Sequence, residues 1–376
     1  MTSRSPNYNH YGDKKILFVD RKEVIIMHMA DALLAPAVAA TMYVASGAAA
    51  GVSITKLRKD DEPQKLPTMA VTAALVFAGQ MINYTIPGTG SSGHMCGGMM
   101  LSALLGPYAG FLSMIVILAI QCLFFADGGL LALGANIWNM AFYGCFVGYF
   151  LIWKPIIHSK WFGEGRSAVR KRIIASSIIG CVLTLQLGAF SVVLETSLSG
   201  ITELPFGAFM ALMQPIHLAI GLIEGLITAA VLCFVFESRP ELLRDVDETG
   251  IALDAKRSLK TTVAILAIVA VVVGGGLSLF ASGNPDGLEW ALFGNADGGY
   301  STNMGLDEEN FGVSSQAAET AESIQEKTSF LPDYAFTDSD SPVGTSVSGI
   351  VGGAMVAGVA ILICCAGGFF RRKKRA

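Results

Sequence analysis

Nine apolar runs, at residues 30–55, 67–86, 94–106, 108–126, 130–153, 173–198, 213–236, 261–281 and 346–370, decide what this chain can fold into. A helix that crosses a bilayer needs roughly 20 mainly apolar residues, because the hydrocarbon core is about 30 Å thick. All the runs but the third reach about that length. The third is short and glycine-rich, which predicts a buried or broken helix lined by protein rather than lipid. Composition points the same way: 52% of residues are hydrophobic and 15% charged, against roughly 45–50% and about 25% in soluble domains. The expected fold class is an all-α integral membrane protein. The 7 cysteines lie in or beside apolar runs and form no CxxC pair, so no disulfide or zinc framework is implied.

Lys and Arg mark the cytoplasmic side of membrane proteins. Here they cluster in loop 56–65 (Lys56, Arg58, Lys59, Lys65), loop 154–172 (Lys154, Lys160, Arg166, Arg170, Lys171, Arg172), segment 237–260 and the RRKKR tail. Nine alternating crossings put all four on one face and leave the opposite face, including 282–345, with Lys327 alone. That alternation places the start of the first run outside, so Arg4, Lys14, Lys15, Arg21 and Lys22 would have to be translocated. Residues 1–26 are therefore expected to be a leader outside the working protein, with a mature start at Met27. Lys22-Glu23-Val24 can be written AAGGAGGTN, a ribosome-binding sequence at a normal spacing from an ATG at Met27.

With Met27 first, its amine, the backbone nitrogen of His28 and the His28 imidazole are adjacent donors that close two small rings around a divalent metal. A fourth nitrogen in the plane completes a geometry suited to Ni(II) or Cu(II). A Met-His pair alone is a weak signal, and an ordinary helix start, with Asp31 favoured by the helix dipole, explains it equally well. The candidate fourth ligand is His94, at the end of the glycine- and serine-rich turn PGTGSSGH, on the same face as Met27. Farther on, QPIHLAIGLIEGLIT places His217 and Glu224 seven apart and so on one helix face. Ionisable groups within a span face the bundle interior; a supporting or helix-packing role is expected for both, and for Asp31 and Ser92.

The stretches MHMADALLAPAVAATMYV, PGTGSSGHMCGGMMLSALLGPYAGFLSM, FADGGLLALGANIWNMA and QPIHLAIGLIEGLITAAV together resemble the nickel/cobalt substrate-capture (S) component of energy-coupling-factor (ECF) ABC transporters, the CbiM/NikM family. The resemblance covers 27–237 in order and seven of the nine runs. It implies a seven-helix S-component bundle into which the N-terminal segment plugs, and a metal held by Met27, His28 and His94. NPDGLEWAL after the eighth run, and FLPDYAF before the ninth, resemble the small PDGLE-type partner subunit, here fused as residues 261–376 beyond a linker at 238–260. The bundle would then carry two further transmembrane helices flanking an extracytoplasmic loop, with 300–330 solvated and partly disordered.

The reading that follows is a multi-pass plasma-membrane subunit of a prokaryote that captures Ni2+ or Co2+ outside. The ion is transported substrate, and no organic cofactor is expected. Nothing resembles GxxxxGK[ST], so ATP hydrolysis would fall to separate cytoplasmic ATPase (A) subunits, joined by a transmembrane coupling (T) subunit. The lipid bilayer is a partner and nucleic acid is not. Small residues from Ala45 to Gly51 offer a helix face for such coupling. Two rivals stay open. A stand-alone metal channel or carrier predicts charged residues along several runs, and an intramembrane metalloenzyme using His94, His217 and Ser91 or Ser92 lacks HExxH and GxSxG.

Overall fold

The computed structural model describes residues 28–58, 65–246, 255–295, 304, 306, 311–336 and 341–375. Met27 and the expected leader at 1–26 lie outside the described residues, as does part of the linker at 238–260. Among the described residues seven helices are long and apolar enough to cross a membrane. They are α1 (Pro36–Leu57), α4 (Pro107–Phe125), α5 (Leu133–Ile157), α6 (Arg166–Leu198), α7 (Phe206–Ser238), α8 (Leu259–Gly275, extended by a tight turn to Phe280) and α11 (Val343–Arg375).

The remaining two apolar runs form shorter helices. The second gives α2 (Lys65–Gln80) and the third gives α3 (Gly98–Leu105). At about 1.5 Å per residue the 8 residues of α3 rise only about 12 Å. The reason is local. Residues 84–93 fold into a small antiparallel hairpin, β1 (Tyr84–Ile86) with β2 (Ser91–Gly93), which takes up chain that a longer α2 would have used. All of α3 is buried, and α2, α4, α5, α6 and α7 pack around it. This run is thus the broken, protein-lined helix that its glycine content predicts.

Pro36 at the first turn of α1 and Pro107 at that of α4 supply the preset φ and missing N–H that suit a helix start. α5 winds as a wide π-type helix over Ile137–Trp153, where Lys154 N donates to Tyr149 O; such winding is uncommon beyond a single turn. α8 and α11 lie against α2 and against each other, and so attach the C-terminal part to the bundle.

The two ends of the bundle differ in charge. At one end Arg166, Arg170 and Lys256 converge on Glu237, Lys154 pairs with Asp245 at 3.6 Å, and Arg244 N donates to Ala103 O at 2.8 Å. Loop 154–172, the described parts of segment 237–260 and the far end of α3 therefore meet. His94, four residues before α3, lies toward the other end.

Of the loop at 300–330, expected to be solvated and partly disordered, residues 300–303, 305 and 307–310 lie outside the described residues, and its later part is helical. Residues 316–328 form α10 (Gln316–Thr328), capped by Ser315 Oγ accepting from Ala318 N, with Glu319 in its first turn and Lys327 in its last. Those charges complement the helix dipole. Gln325 anchors it: its Nε2 donates to Cys122 O at 3.0 Å and Gly128 O at 2.9 Å, and its Oε1 accepts from Leu130 N at 3.2 Å. A fully solvated helix would gain nothing from so many bonds to the bundle.

Candidate metal site

Residues 28–35 precede α1 and run inward rather than over the surface. Met29, Leu33 and Leu34 are fully buried among Ala132, Ala135, Ala189, Phe209, Met213 and Leu288. Apolar burial of this kind is worth about 1.5–3 kcal/mol for each large side chain. It holds the segment as a plug, and polar contacts then set its register. Met29 N donates to Asn136 Oδ1, and Asn136 Nδ2 donates back to Met29 O, both at 3.1 Å. Gly129 N donates to the same carbonyl at 3.0 Å, and Asp31 Oδ1 accepts from Ala132 N at 2.9 Å.

The plug delivers His28 to a cavity of about 100 Å³ lined also by His94, His217, Asn136, Asn139 and Asp286. The rings of His28 and His94 stand 5.5 Å apart, centroid to centroid, in an edge-on arrangement. Each presents Nδ1 to a carboxylate: His28 to Asp127 Oδ1 at 2.7 Å, His94 to Asp286 Oδ2 at 3.6 Å. The second oxygen of Asp127 accepts from the phenol of Tyr334, just before α11. His28 Nε2 is buried with no hydrogen-bond partner among the described residues.

Electrostatics separate the two imidazoles. Burial drives His94 down to about 3, and the neighbouring His28 pushes it the same way, so its ring is neutral and able to donate a lone pair. Burial would also lower His28, but the Asp127 carboxylate overrides that effect and raises it above the ordinary imidazole value. Burial lifts Asp286 to about 7, against two backbone N–H groups that favour its charged form. Extra positive charge in the cavity would relieve that cost.

The other residues named from the sequence surround this cavity in different ways. His217 lines it, with Nδ1 at 2.8 Å from Met213 O. Glu224 lies deeper and accepts from Cys96 N and Gly97 N, both at 2.8 Å, and so shapes the bend that follows His94. Ser92 Oγ donates to Asn284 O at 2.7 Å, while Ser91 Oγ donates to Ser92 O at 3.0 Å, so both hydroxyls are spent on carbonyls. Asp127, Asn136, Asp286 and Tyr334 entered the sequence reading only as letters of quoted stretches, with no role at the site. An aspartate inside ADGG and an asparagine inside GAN were the available signals. Among the described residues no three His, Cys, Asp or Glu side chains converge tightly enough to hold a metal by themselves.

Comparison with known proteins places these features in a family. Residues 28–242 match the CbiM model, described as cobalt uptake substrate-specific transmembrane region, and residues 260–367 match the PDGLE domain. The chain is 34% identical over 336 residues to a putative fused nickel transport protein NikMN of Archaeoglobus fulgidus, covering 88% of this chain and 95% of that protein. It is 29% identical over 364 residues to the fused nickel transport protein NikMN of Rhodobacter capsulatus, covering 89% and 96%. The solved structure of a truncated transition metal transporter is 31% identical and covers 56% of this chain and 99% of its own, with a TM-score of 0.48. With a family model matching more than half of its length, the chain belongs to the cobalt uptake substrate-specific transmembrane (CbiM) family and carries a PDGLE domain at its C-terminal end.

Proposed function

We propose that this protein is the substrate-capture subunit of an ATP-driven, ECF-type importer of Ni2+ or Co2+. The observation that carries the reading is the pair His28 and His94, one imidazole buried and the other half-buried, which line one small cavity with their rings 5.5 Å apart. Imidazole suits late first-row metals. Its relatives' names supply the two candidate metals: nickel in the fused proteins of A. fulgidus and R. capsulatus, cobalt in the transport protein CbiM of Sorangium cellulosum.

In this reading Met27 contributes its amine, His28 its backbone nitrogen and imidazole, and His94 its imidazole. A ring closed through the His28 amide can reach only Nδ1, the nitrogen that faces Asp127 here. Capture then exchanges the Asp127 contact for the metal. The four nitrogens favour Ni2+ over Co2+ through square-planar geometry. The basic end of the bundle is the cytoplasmic side by the positive-inside rule, which leaves the cavity outside and the C-terminus inside. The T subunit and the A subunits would couple release to ATP hydrolysis, α1 being the least buried of the long apolar helices among the described residues and so the most open to such contact.

The test is uptake of radioactive Ni2+ and Co2+ by cells that express the chain with its chromosomal partners, alongside N-terminal sequencing of the product. Accumulation that disappears in H28A and H94A, from a chain beginning at Met27, supports the reading. A product that begins at Met1 removes the amine from the ligand set. Uptake untouched by both substitutions refutes the site.

A further inference from the structure

The C-terminal module reaches the cavity with Asp286, and the residues around it explain how. Pro285 O accepts from Ser92 N at 2.7 Å, so the PDGLE segment lies along β2 just before His94. Asp286 then caps α9 (Gly287–Phe293): its Oδ1 accepts from Leu288 N at 2.9 Å and from Glu289 N at 3.1 Å. With Oδ1 engaged in the cap, Oδ2 faces His94 Nδ1 at 3.6 Å. Gly287 allows α9 to press on α7, since a Cβ there would stand 3.0 Å from Ile220 Cδ1 and 3.3 Å from His217 Cε1. Leu288 inserts into the same apolar cluster as Met29. The carboxylate is thus fixed from both sides, and Asp286 is only 5% exposed.

A cap alone does not require a charge. Serine and asparagine cap helices as well as aspartate does, whereas a buried carboxylate carries a desolvation cost unless something positive or hydrogen-donating compensates it. His94 Nδ1 is the group in place to do so, and it has no hydrogen-bond partner among the described residues. Imidazoles that bind metals commonly donate their other N–H to a carboxylate, which fixes the tautomer and makes the ligating nitrogen more basic.

We propose that Asp286 is a positioning residue for His94: its Oδ2 accepts the Nδ1 proton and leaves Nε2 bare toward the cavity for a divalent cation. The inference rests on the reading of His94 as a metal ligand. At 3.6 Å, Nδ1 and Oδ2 stand just beyond hydrogen-bond length, and an approach of about 0.5 Å makes the bond. It makes the C-terminal module part of the metal site, with a carboxylate that the family region at 28–242 does not itself supply.

The experiment is a Ni2+ titration of the purified full chain in detergent, against a competing chelator, followed by the visible absorption of bound Ni2+. D286N keeps the cap and removes the charge, so the metal-free protein unfolds at the same temperature as wild type. Its Kd rises by about 10–100-fold, and its absorption band at saturation is displaced because His94 is free to take the other tautomer. D286S, which also caps, gives the same measurement if D286N fails to fold. A Kd and band unchanged in D286N, beside an H94Q control that has lost affinity, overturn the positioning role and leave the metal reading intact. Equal Kd in wild type and H94Q overturns the metal reading, and this inference with it.

Discussion

Asn136 holds Met29 by both ends of its amide, accepting from the backbone N–H and donating to the backbone carbonyl of the same residue, each at 3.1 Å. This reciprocal pair acts like one rung of a sheet in a segment that has no strand. It fixes the residue immediately after His28, so the position of one imidazole depends on an amide 107 positions away.

N136A is expected to loosen the plug. Two buried bonds are lost: Met29 N is left without its acceptor, at a cost of about 1–3 kcal/mol, while Met29 O keeps the bond from Gly129 N. Ni2+ affinity should fall by roughly 10-fold or more on that scale, and amide exchange at residues 28–34 should quicken. Unchanged exchange in this segment would show that apolar burial alone holds the plug.

D127N should move the pH dependence of metal binding. His28 is raised above its ordinary value by Asp127 acting against burial, so its protonated form is stabilised, and protons compete with metal as pH falls through that raised value. Removing the carboxylate lowers the value and shifts the acid edge of Ni2+ binding to lower pH. For the metal-free protein the sign is opposite. The ion pair contributes stability that is present below the unfolded imidazole value and lost as pH rises through the folded one, so D127N loses thermal stability chiefly on the acid side. Parallel profiles of Kd and Tm against pH in both proteins check the two signs together.

G128A should damage the site without replacing a candidate ligand. Gly128 adopts φ +77, and a Cβ there would stand 2.7 Å from His28 Cβ and 3.0 Å from Asn136 Nδ2. Left-handed backbone costs an L-residue about 1–2 kcal/mol before any clash is counted. A lower Tm and a weaker Ni2+ Kd are expected together; a normal Kd would mean that His28 can shift without consequence.

E224Q tests the bend after His94. Glu224 accepts from two backbone N–H groups, and the amide that replaces one oxygen presents a donor to a donor. Stability should fall by about 1–3 kcal/mol, measured by thermal unfolding. Ni2+ binding should fall less than in H94Q, because the loop end moves and the imidazole stays.

The membrane class, the order of the apolar runs and the grouping of loops 154–172 and 237–260 were legible in the sequence, because hydropathy and charge act locally and leave their mark in consecutive residues. His28 and His94 were legible for a related reason. Each stands beside an unusual short pattern, Met-His in one case and a glycine-serine turn in the other. What the sequence could not show is which groups meet them. Asp127 reaches His28 from the turn after α4, and Asp286 reaches His94 from a module nearly two hundred residues later. Such pairs carry no spacing rule, because the hairpin at 84–93 and the short α3 set their geometry. Only the folded chain decides that both imidazoles are backed by carboxylates, since burial makes an unpartnered polar group costly and leaves the packing of distant helices to choose its partner.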